Sequence, residues 1–406
     1  MFNWNDKLAA RAAFMKRSSI REILKLTQSP DIISFAGGLP APELFPVERI
    51  EEAVAKILAT RPVDALQYSV SEGLPELRDF IAARMSRPGL HLTRDNILIV
   101  GGAQQAIDMI GRVLLDEGDS IVVENPTYLG MLIAWKPYNL RHYTIDTDAE
   151  GLRVDQLESA FRHNPKLMYL VPNFQNPQGV TLSFARRLEL VKLLEAYGMV
   201  VVEDNPYGDL RFEGEDLPSL YELSGNHVIY LGSFSKIIAP GLRVGWIAAP
   251  PPILDKLLEA KQSTDLHTSP FTQLVISEVV RDGFLDSHIP HLREVYRQRR
   301  DLMLSLLERY FPPEVQWSRP QGGLFLMVRL PEHLDATELL KEAIQHKVAF
   351  VPGSDFHVGD AGRNTFRLNF SNAQPSQIEL GHSTTWRAAE RSAGHRTSLA
   401  LHSTPP

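Results

Sequence analysis

Five short stretches of this chain carry residue types suited to chemistry, and each follows an apolar run. Gly101-Gly102-Ala103-Gln104-Gln105 follows the run 97–100 and opens a stretch with Ile107, Ile110, Val113 and Leu114 at helical spacing. Free amides at a helix start, approached closely because the residues are small, make an anion site suited to phosphate. Asn125-Pro126-Thr127-Tyr128 follows the second run, Asn173 to Gly179 the third, and Glu203-Asp204-Asn205-Pro206-Tyr207 the fourth. Ser233-Phe234-Ser235-Lys236 follows the fifth, with Pro240-Gly241-Leu242-Arg243 just beyond. An anion cradle, an aromatic ring, an amide, a carboxylate with a phenol, and a lysine with an arginine are thus collected. Singly each has a plainer meaning: Gly-Gly is a common turn, a lone Asp after a strand is a helix cap, a tyrosine packs, and a lysine is solvated. Together they describe a site. A lysine at the end of a buried strand can have its pKa lowered enough to attack an aldehyde and form a Schiff base.

The elements that must position these residues are legible in the hydropathy pattern. Runs at 97–100, 121–123, 167–171, 199–202, 228–231 and 244–248 are short, continuously apolar and rich in valine and isoleucine. Such runs read as strands buried on both faces, in a mostly parallel sheet covered by helices. Open α/β sheets bind ligands outside the carboxyl ends of their strands, where the polar stretches lie. Residues 182–197, with Gly198 as a stop, predict a crossover helix. Beyond residue 282 a long charged helix over 288–310 and strand-like pieces at 323–328, 349–351 and 365–370 predict a smaller α+β domain. The Pro- and Gly-rich segment 35–46 predicts an extended stretch draped between units.

Composition narrows the possibilities. A chain of 406 residues exceeds one hydrophobic core. A net charge of −7 argues against nucleic acid as a partner, and the absence of cysteine removes disulfides, thiolate metal sites and a cysteine nucleophile. No apolar stretch approaches the roughly 18 residues of a membrane span, and the charged start is unlike a signal peptide. A cytoplasmic location with no bound metal and no membrane partner is the expectation. Dinucleotide, P-loop and H-E-x-x-H zinc motifs are missing from the sequence. Pyridoxal 5'-phosphate instead finds a candidate for each of its needs: a lysine for its aldehyde, a carboxylate for its ring nitrogen, donors for its phenolic oxygen, and amides, hydroxyls and an arginine for its phosphate.

The segments NFQNPQG (173–179), VVEDNPYGDL (201–210) and SFSKIIAPGLRVGW (233–246) resemble those of class I/II aminotransferases of pyridoxal-phosphate fold type I. The segments at 19–46, 66–78 (LQYSVSEGLPELR) and 366–371 (FRLNFS) are similar to those of the 2-aminoadipate aminotransferase group and its broad-specificity relatives. The resemblance spans roughly residues 15 to 380. It implies an α/β fold whose large domain has a mostly parallel, seven-stranded-type sheet, plus a smaller α+β domain. The expected division is 1–45 as an N-terminal helix and segment covering the site, 46–284 as the cofactor-binding domain, 285–380 as the small domain and 381–406 as an atypical tail. That tail lacks the amphipathic helix that usually ends the small domain.

The resemblance also implies roles. Lys236 would bind the cofactor aldehyde and then shuttle the substrate α-proton. Asp204 would pair with the ring nitrogen, Asn176 and Tyr207 would bond the phenolic oxygen, and Tyr128 would stack over the ring. Gly102, Ala103, Gln104, Ser233, Ser235 and Arg243 would hold the phosphate. Tyr68 would reach the phosphate of a neighbouring subunit, which predicts a homodimer with its sites at the interface. Arg367, by its own context an ordinary exposed strand arginine, would take the substrate α-carboxylate as a bidentate fork, assisted by Asn176. Gly38 would leave room for substrate. Ser18 and Arg21, three apart on one helix face, would border the side-chain pocket, with Arg21 swinging in to meet a distal carboxylate and out for apolar side chains. The plainer alternative for Arg21 is an ion pair with Glu22 or Asp31. The expected reaction transfers the amino group of an L-amino acid of 2-aminoadipate, branched-chain or aromatic type to 2-oxoglutarate, ping-pong, through pyridoxamine phosphate. The alternatives are a lyase or decarboxylase of the same fold and a non-catalytic aminotransferase-like sensor.

Overall fold

The computed structural model describes residues 2–15, 29 and 31–381. In chain order its strands are β1 (Ile33–Ser34), β2 (Ile97–Val100), β3 (Ser120–Asn125), β4 (Arg141–Asp148), β5 (Gly151–Leu152), β6 (Leu167–Leu170), β7 (Val201–Asp204), β8 (Val228–Ser233), β9 (Gly245–Ala248), β10 (Gln316–Trp317), β11 (Phe325–Arg329), β12 (Val348–Ala349), β13 (Val351–Pro352) and β14 (Thr365–Asn369). Eight form one sheet in the order β2-β9-β8-β7-β6-β3-β4-β5. The ladders from β4 through β8 are parallel, and β9 runs against both its neighbours. The carboxyl ends of β2, β3, β6, β7 and β8 therefore open on one side, where the polar stretches begin.

Burial explains which strands the pattern revealed. Every residue of β2, β6, β7 and β9 is buried, as continuous apolar runs require of strands covered on both faces. The strand β4 is missing from the sequence expectation because its residues RHYTIDTD are largely polar and all but Ile145 are at least partly exposed near the sheet edge, and β5 is too short to leave a signal. The crossover helix occupies Phe184–Tyr197, with Ser183 accepting from the Arg186 amide at its start and Gly198 in the left-handed region at its end.

A four-stranded antiparallel sheet, β10-β11-β14-β13, forms the second unit. The expected strand at 349–351 is resolved into two pairs of residues, with β12 turned away to pair in parallel with β1. That pairing ties the segment around Phe35 to this unit, since the Phe35 amide donates to the Ala349 carbonyl and the Asn369 amide to the Phe35 carbonyl, at 2.8 and 2.9 Å. The long helix Phe284–Tyr310 also buries charge. Arg299 bonds the Ser371 carbonyl and pairs with Glu43, while the Tyr296 hydroxyl accepts from the Ala41 amide at 3.1 Å. The extended segment is thus fastened at both ends. A last helical stretch covers 375–381, and the expected departure of the tail lies outside the described residues.

Candidate active site

At the end of β2 the chain turns through Gly102, whose φ of +91° suits glycine, into the helix Ala103–Leu114. The first amides of that helix have no intrahelical partner and carry the positive end of its dipole. Arg243 closes the cradle from a left-handed turn at φ +51°, donating to the Gly101 carbonyl at 3.1 Å and the Pro240 carbonyl at 3.2 Å. A Cβ at Gly102 would stand 2.5 Å from the Arg243 guanidinium. On the other side the Ser233 hydroxyl donates to the Ser235 hydroxyl at 2.9 Å and accepts the Ser235 amide at 3.1 Å. Amides, hydroxyls and a guanidinium meet as a phosphate requires.

Two carboxylates end β7, and the pleat sends them to opposite faces. Glu203 turns from the cavity into a fully buried pocket, accepting the Leu220 and Tyr221 amides at 3.1 and 2.9 Å beside Arg187. Asp204 faces the cavity, its Oδ2 accepting the Tyr169 hydroxyl at 2.6 Å. Its Oδ1 is buried and has no partner among the described residues. Burial pushes Asp204 up to about 6, against the opposing effect of the Tyr169 hydrogen bond.

Lys236, in the turn after β8, donates to the Gly38 carbonyl at 2.6 Å. Burial first, then the Arg367 and Arg243 cations, push its ammonium down to about 8. Arg367 lies on β14 but is only 2 % exposed, which corrects the reading of an exposed strand arginine. Both faces of β14 are covered. The guanidinium sits between the Phe325 and Phe356 rings, 4.2 and 4.9 Å from their centroids. It donates to Asn176 Oδ1 and to the Ala36 carbonyl, both at 2.6 Å, and its Nε has no partner among the described residues. Burial lowers it to about 10, which leaves it cationic at neutral pH. The Tyr128 hydroxyl donates to Gln104 Oε1 at 3.2 Å. Tyr207 is buried edge-on to Phe325, and desolvation raises its phenol well above the usual value.

One cavity of about 420 Å³ is lined by every residue assigned to the site from the sequence except four. Gly102 caps the helix without lining it. Tyr68 is 78 % exposed, edge-on to His267 at 5.8 Å. Ser18 and Arg21 lie outside the described residues. Pyridoxal 5'-phosphate fits the residues present: one amine, an orphaned carboxylate oxygen for a ring N–H, and a phosphate cradle share the cavity.

Residues 30–381 match the family model of aminotransferase class I and II. The chain belongs to the class I and II aminotransferases. It is 45% identical over 388 residues to an aromatic-amino-acid aminotransferase of Thermococcus litoralis, covering 93% of each chain. It is 42% identical over 385 residues to a 2-aminoadipate transaminase of Thermus thermophilus, covering 93% of this chain and 95% of the other. The crystal structure of an alpha-aminoadipate aminotransferase from Thermus thermophilus, complexed with N-(5'-phosphopyridoxyl)-L-leucine, superposes with a TM-score of 0.92 at 39% identity, over 97% of this chain and 100% of that one. This aminotransferase is an enzyme of pyridoxal-phosphate fold type I, with pyridoxal 5'-phosphate as its cofactor. No helix among its described residues is long and apolar enough to cross a membrane.

Several groups at the aminotransferase site escaped the sequence reading. Tyr169 is hidden in the apolar run 167–171, although a phenol in a strand buried on both faces needs a partner, and that need was a usable signal. The Ala36 and Gly38 carbonyls are backbone groups and leave no trace in residue type. Phe325 lies in a strand-like apolar piece, and neither it nor Phe356 carries a mark of the site in its residue type.

Proposed function

We propose that this aminotransferase moves the amino group of an L-amino acid of 2-aminoadipate, branched-chain or aromatic type to 2-oxoglutarate in two alternating half-reactions. The observation that carries the reading is the convergence of Lys236, Asp204 and Arg367 on one cavity. Arg367 binds the α-carboxylate of either substrate as a fork, steadied by Asn176 Oδ1. That would fix the α-carbon relative to Lys236, whose Nζ would take up the α-proton and hold it for return. An amine pushed down to about 8 spends an appreciable fraction of its time neutral near neutral pH, as a base must. Asp204 holds its charge at the ring nitrogen, while Tyr207 and the Asn176 amide donate to the phenolic oxygen. Tyr128 covers the ring. Gly102, Ala103, Gln104, Ser233, Ser235 and Arg243 hold the phosphate. When bound, pyridoxal phosphate supplies the electron sink and carries the amino group between half-reactions.

The substrate class draws support from the names of the two relatives and from Leu129 and Ile133, which give the cavity an apolar wall. Arg21 and Ser18 serve the distal carboxylate of acidic substrates in this reading. We further infer a homodimer with its sites at the subunit interface. Val63, Leu66 and Tyr68 stand exposed on one short stretch, a surface that a second copy would cover and from which Tyr68 would reach the partner's phosphate cradle.

The test is a single-turnover absorbance experiment on the loaded enzyme with a panel of L-amino acids and no oxo acid. Loss of the visible band of the lysine-bound cofactor, and its return on adding 2-oxoglutarate, is the expected result. A band that persists with every donor would overturn the reading.

A further inference from the structure

Tyr169 takes no part in the reading above. It lies fully buried on β6, in register with Val202, two residues before Asp204 on β7, so its side chain shares a sheet face with Asp204. Its hydroxyl donates to Asp204 Oδ2 at 2.6 Å, the one hydrogen bond to that carboxylate among the described residues, and Oδ1 is left buried and unpartnered. Trp135 stands edge-on to the Tyr169 ring at 5.8 Å and is itself pinned by its indole N–H to the Ile107 carbonyl at 2.7 Å. The phenol therefore has a fixed aim.

We propose that Tyr169 is a positioning residue for transamination: by occupying Oδ2 it leaves Oδ1 to meet the ring nitrogen and holds Asp204 in its ionised form there. The inference rests on the assignment of Asp204 to that nitrogen. A donor to a carboxylate stabilises the anion, so removing the phenol makes Asp204 more basic. A more basic carboxylate draws the proton away from the ring nitrogen, and the ring then carries less positive charge. The other titratable groups facing the pair are Glu124 on β3 and Tyr128 beyond it, with Tyr207, Lys236, Arg243 and Arg367 around the cavity. None of them donates to either Asp204 oxygen among the described residues.

The test compares holoenzymes of the wild type, Tyr169→Phe, Asp204→Asn and Tyr169→3-fluorotyrosine installed at that one site. The readouts are kcat, KM and the pH midpoint at which the visible absorbance of the bound cofactor changes. In Tyr169→Phe the midpoint moves up, because less positive charge on the ring makes neighbouring protons harder to lose. Its kcat falls roughly ten- to a hundred-fold, as loss of a hydrogen bond to a charged group implies, with KM within about two-fold. Fluorotyrosine, a stronger donor of nearly the same shape, moves the midpoint down. Shifts of the two variants in the same direction, or no shift while Asp204→Asn shifts, overturn the role of Tyr169. An unmoved midpoint in Asp204→Asn removes the ring-nitrogen assignment and this inference with it. Should Tyr169→Phe fail to fold, the fluorotyrosine form decides alone: a lowered midpoint supports the proposal and an unmoved one overturns it.

Discussion

Arg367 and Asn176, separated by 191 positions in the chain, meet through a 2.6 Å hydrogen bond from the guanidinium to the amide oxygen. One comes from the small antiparallel sheet and the other from the loop after β6. The contact therefore joins the two sheets at the point where an α-carboxylate would be held. A guanidinium between two aromatic rings is confined to a plane, which suits it to a two-pronged contact and makes lysine a poor replacement.

Arg367→Lys is accordingly expected to raise KM for amino acid and oxo acid alike, by roughly ten- to a hundred-fold, with a smaller change in kcat. Steady-state kinetics with both substrates varied will show it. Equal KM values in variant and wild type would place the carboxylate elsewhere.

Capture of pyridoxal phosphate by cofactor-free enzyme needs the neutral Lys236 amine. Its rate should rise with pH and level off above about 8, where the ammonium is lost. An ordinary lysine would keep gaining rate to about pH 10. Since the Arg367 cation helps to lower Lys236, Arg367→Leu should shift the profile upward. Stopped-flow absorbance across the pH range reads both curves.

Burial raises Asp204 to about 6 from its ordinary value of 3.8. A group raised on folding stabilises the fold fully below its unfolded pKa, and that contribution is lost as pH rises through the folded value. Ionised Asp204 therefore costs the cofactor-free protein on the order of 2–3 kcal/mol near pH 8. Asp204→Asn should melt higher than the wild type at pH 8 and no higher at pH 4, while turnover of the loaded variant falls at least about a hundred-fold. Thermal melts at the two pH values and kcat measure these effects.

Gly102→Ala combines a strained left-handed φ with a Cβ driven into Arg243. Strain of about 1–3 kcal/mol and a displaced guanidinium should weaken pyridoxal phosphate binding roughly ten-fold or more, leaving Lys236 chemically competent. Equilibrium dialysis gives the dissociation constant directly.

Arg187 is fully buried, donating to the Leu182, Pro172 and Pro218 carbonyls and to Asn173 Oδ1 while facing Glu203. Arg187→Met should cost about 3 kcal/mol or more, because the Leu182, Pro172 and Pro218 carbonyls and Asn173 Oδ1 would all lose this donor in the interior. Chemical denaturation of the variant tests this.

Most of the site was legible because each chemical residue follows a continuous apolar run, and a run buried on both faces announces both a strand and its end. Lys236 and Asp204 were singled out by the constellation of such strand ends, since each alone has a plainer meaning. What escaped did so for physical reasons. β4 is polar and near the sheet edge, so no run marks it. Arg367 read as an exposed strand arginine because burial of a charge depends on partners far away in sequence. Tyr169 passed for a core residue because its ring packs as one and only its hydroxyl is polar. The carbonyls of Ala36 and Gly38 are available at any residue type.

The opposed aim of Glu203 and Asp204 makes the strand β7 a frame-sensitive device. Two acids adjacent in the chain are kept apart by nothing but the pleat, one serving architecture and the other available for chemistry. Adding a single residue just upstream would bring Glu203 to the cavity slot that Asp204 now holds, and deleting one would instead bring Asp204 among the Leu220 and Tyr221 amides. Either chain would keep nearly all of its composition and hydrophobic pattern, yet the first would lose the anchor behind the sheet and the second the acid in front of it. Evolution can trade side chains along this strand more freely than it can change its length.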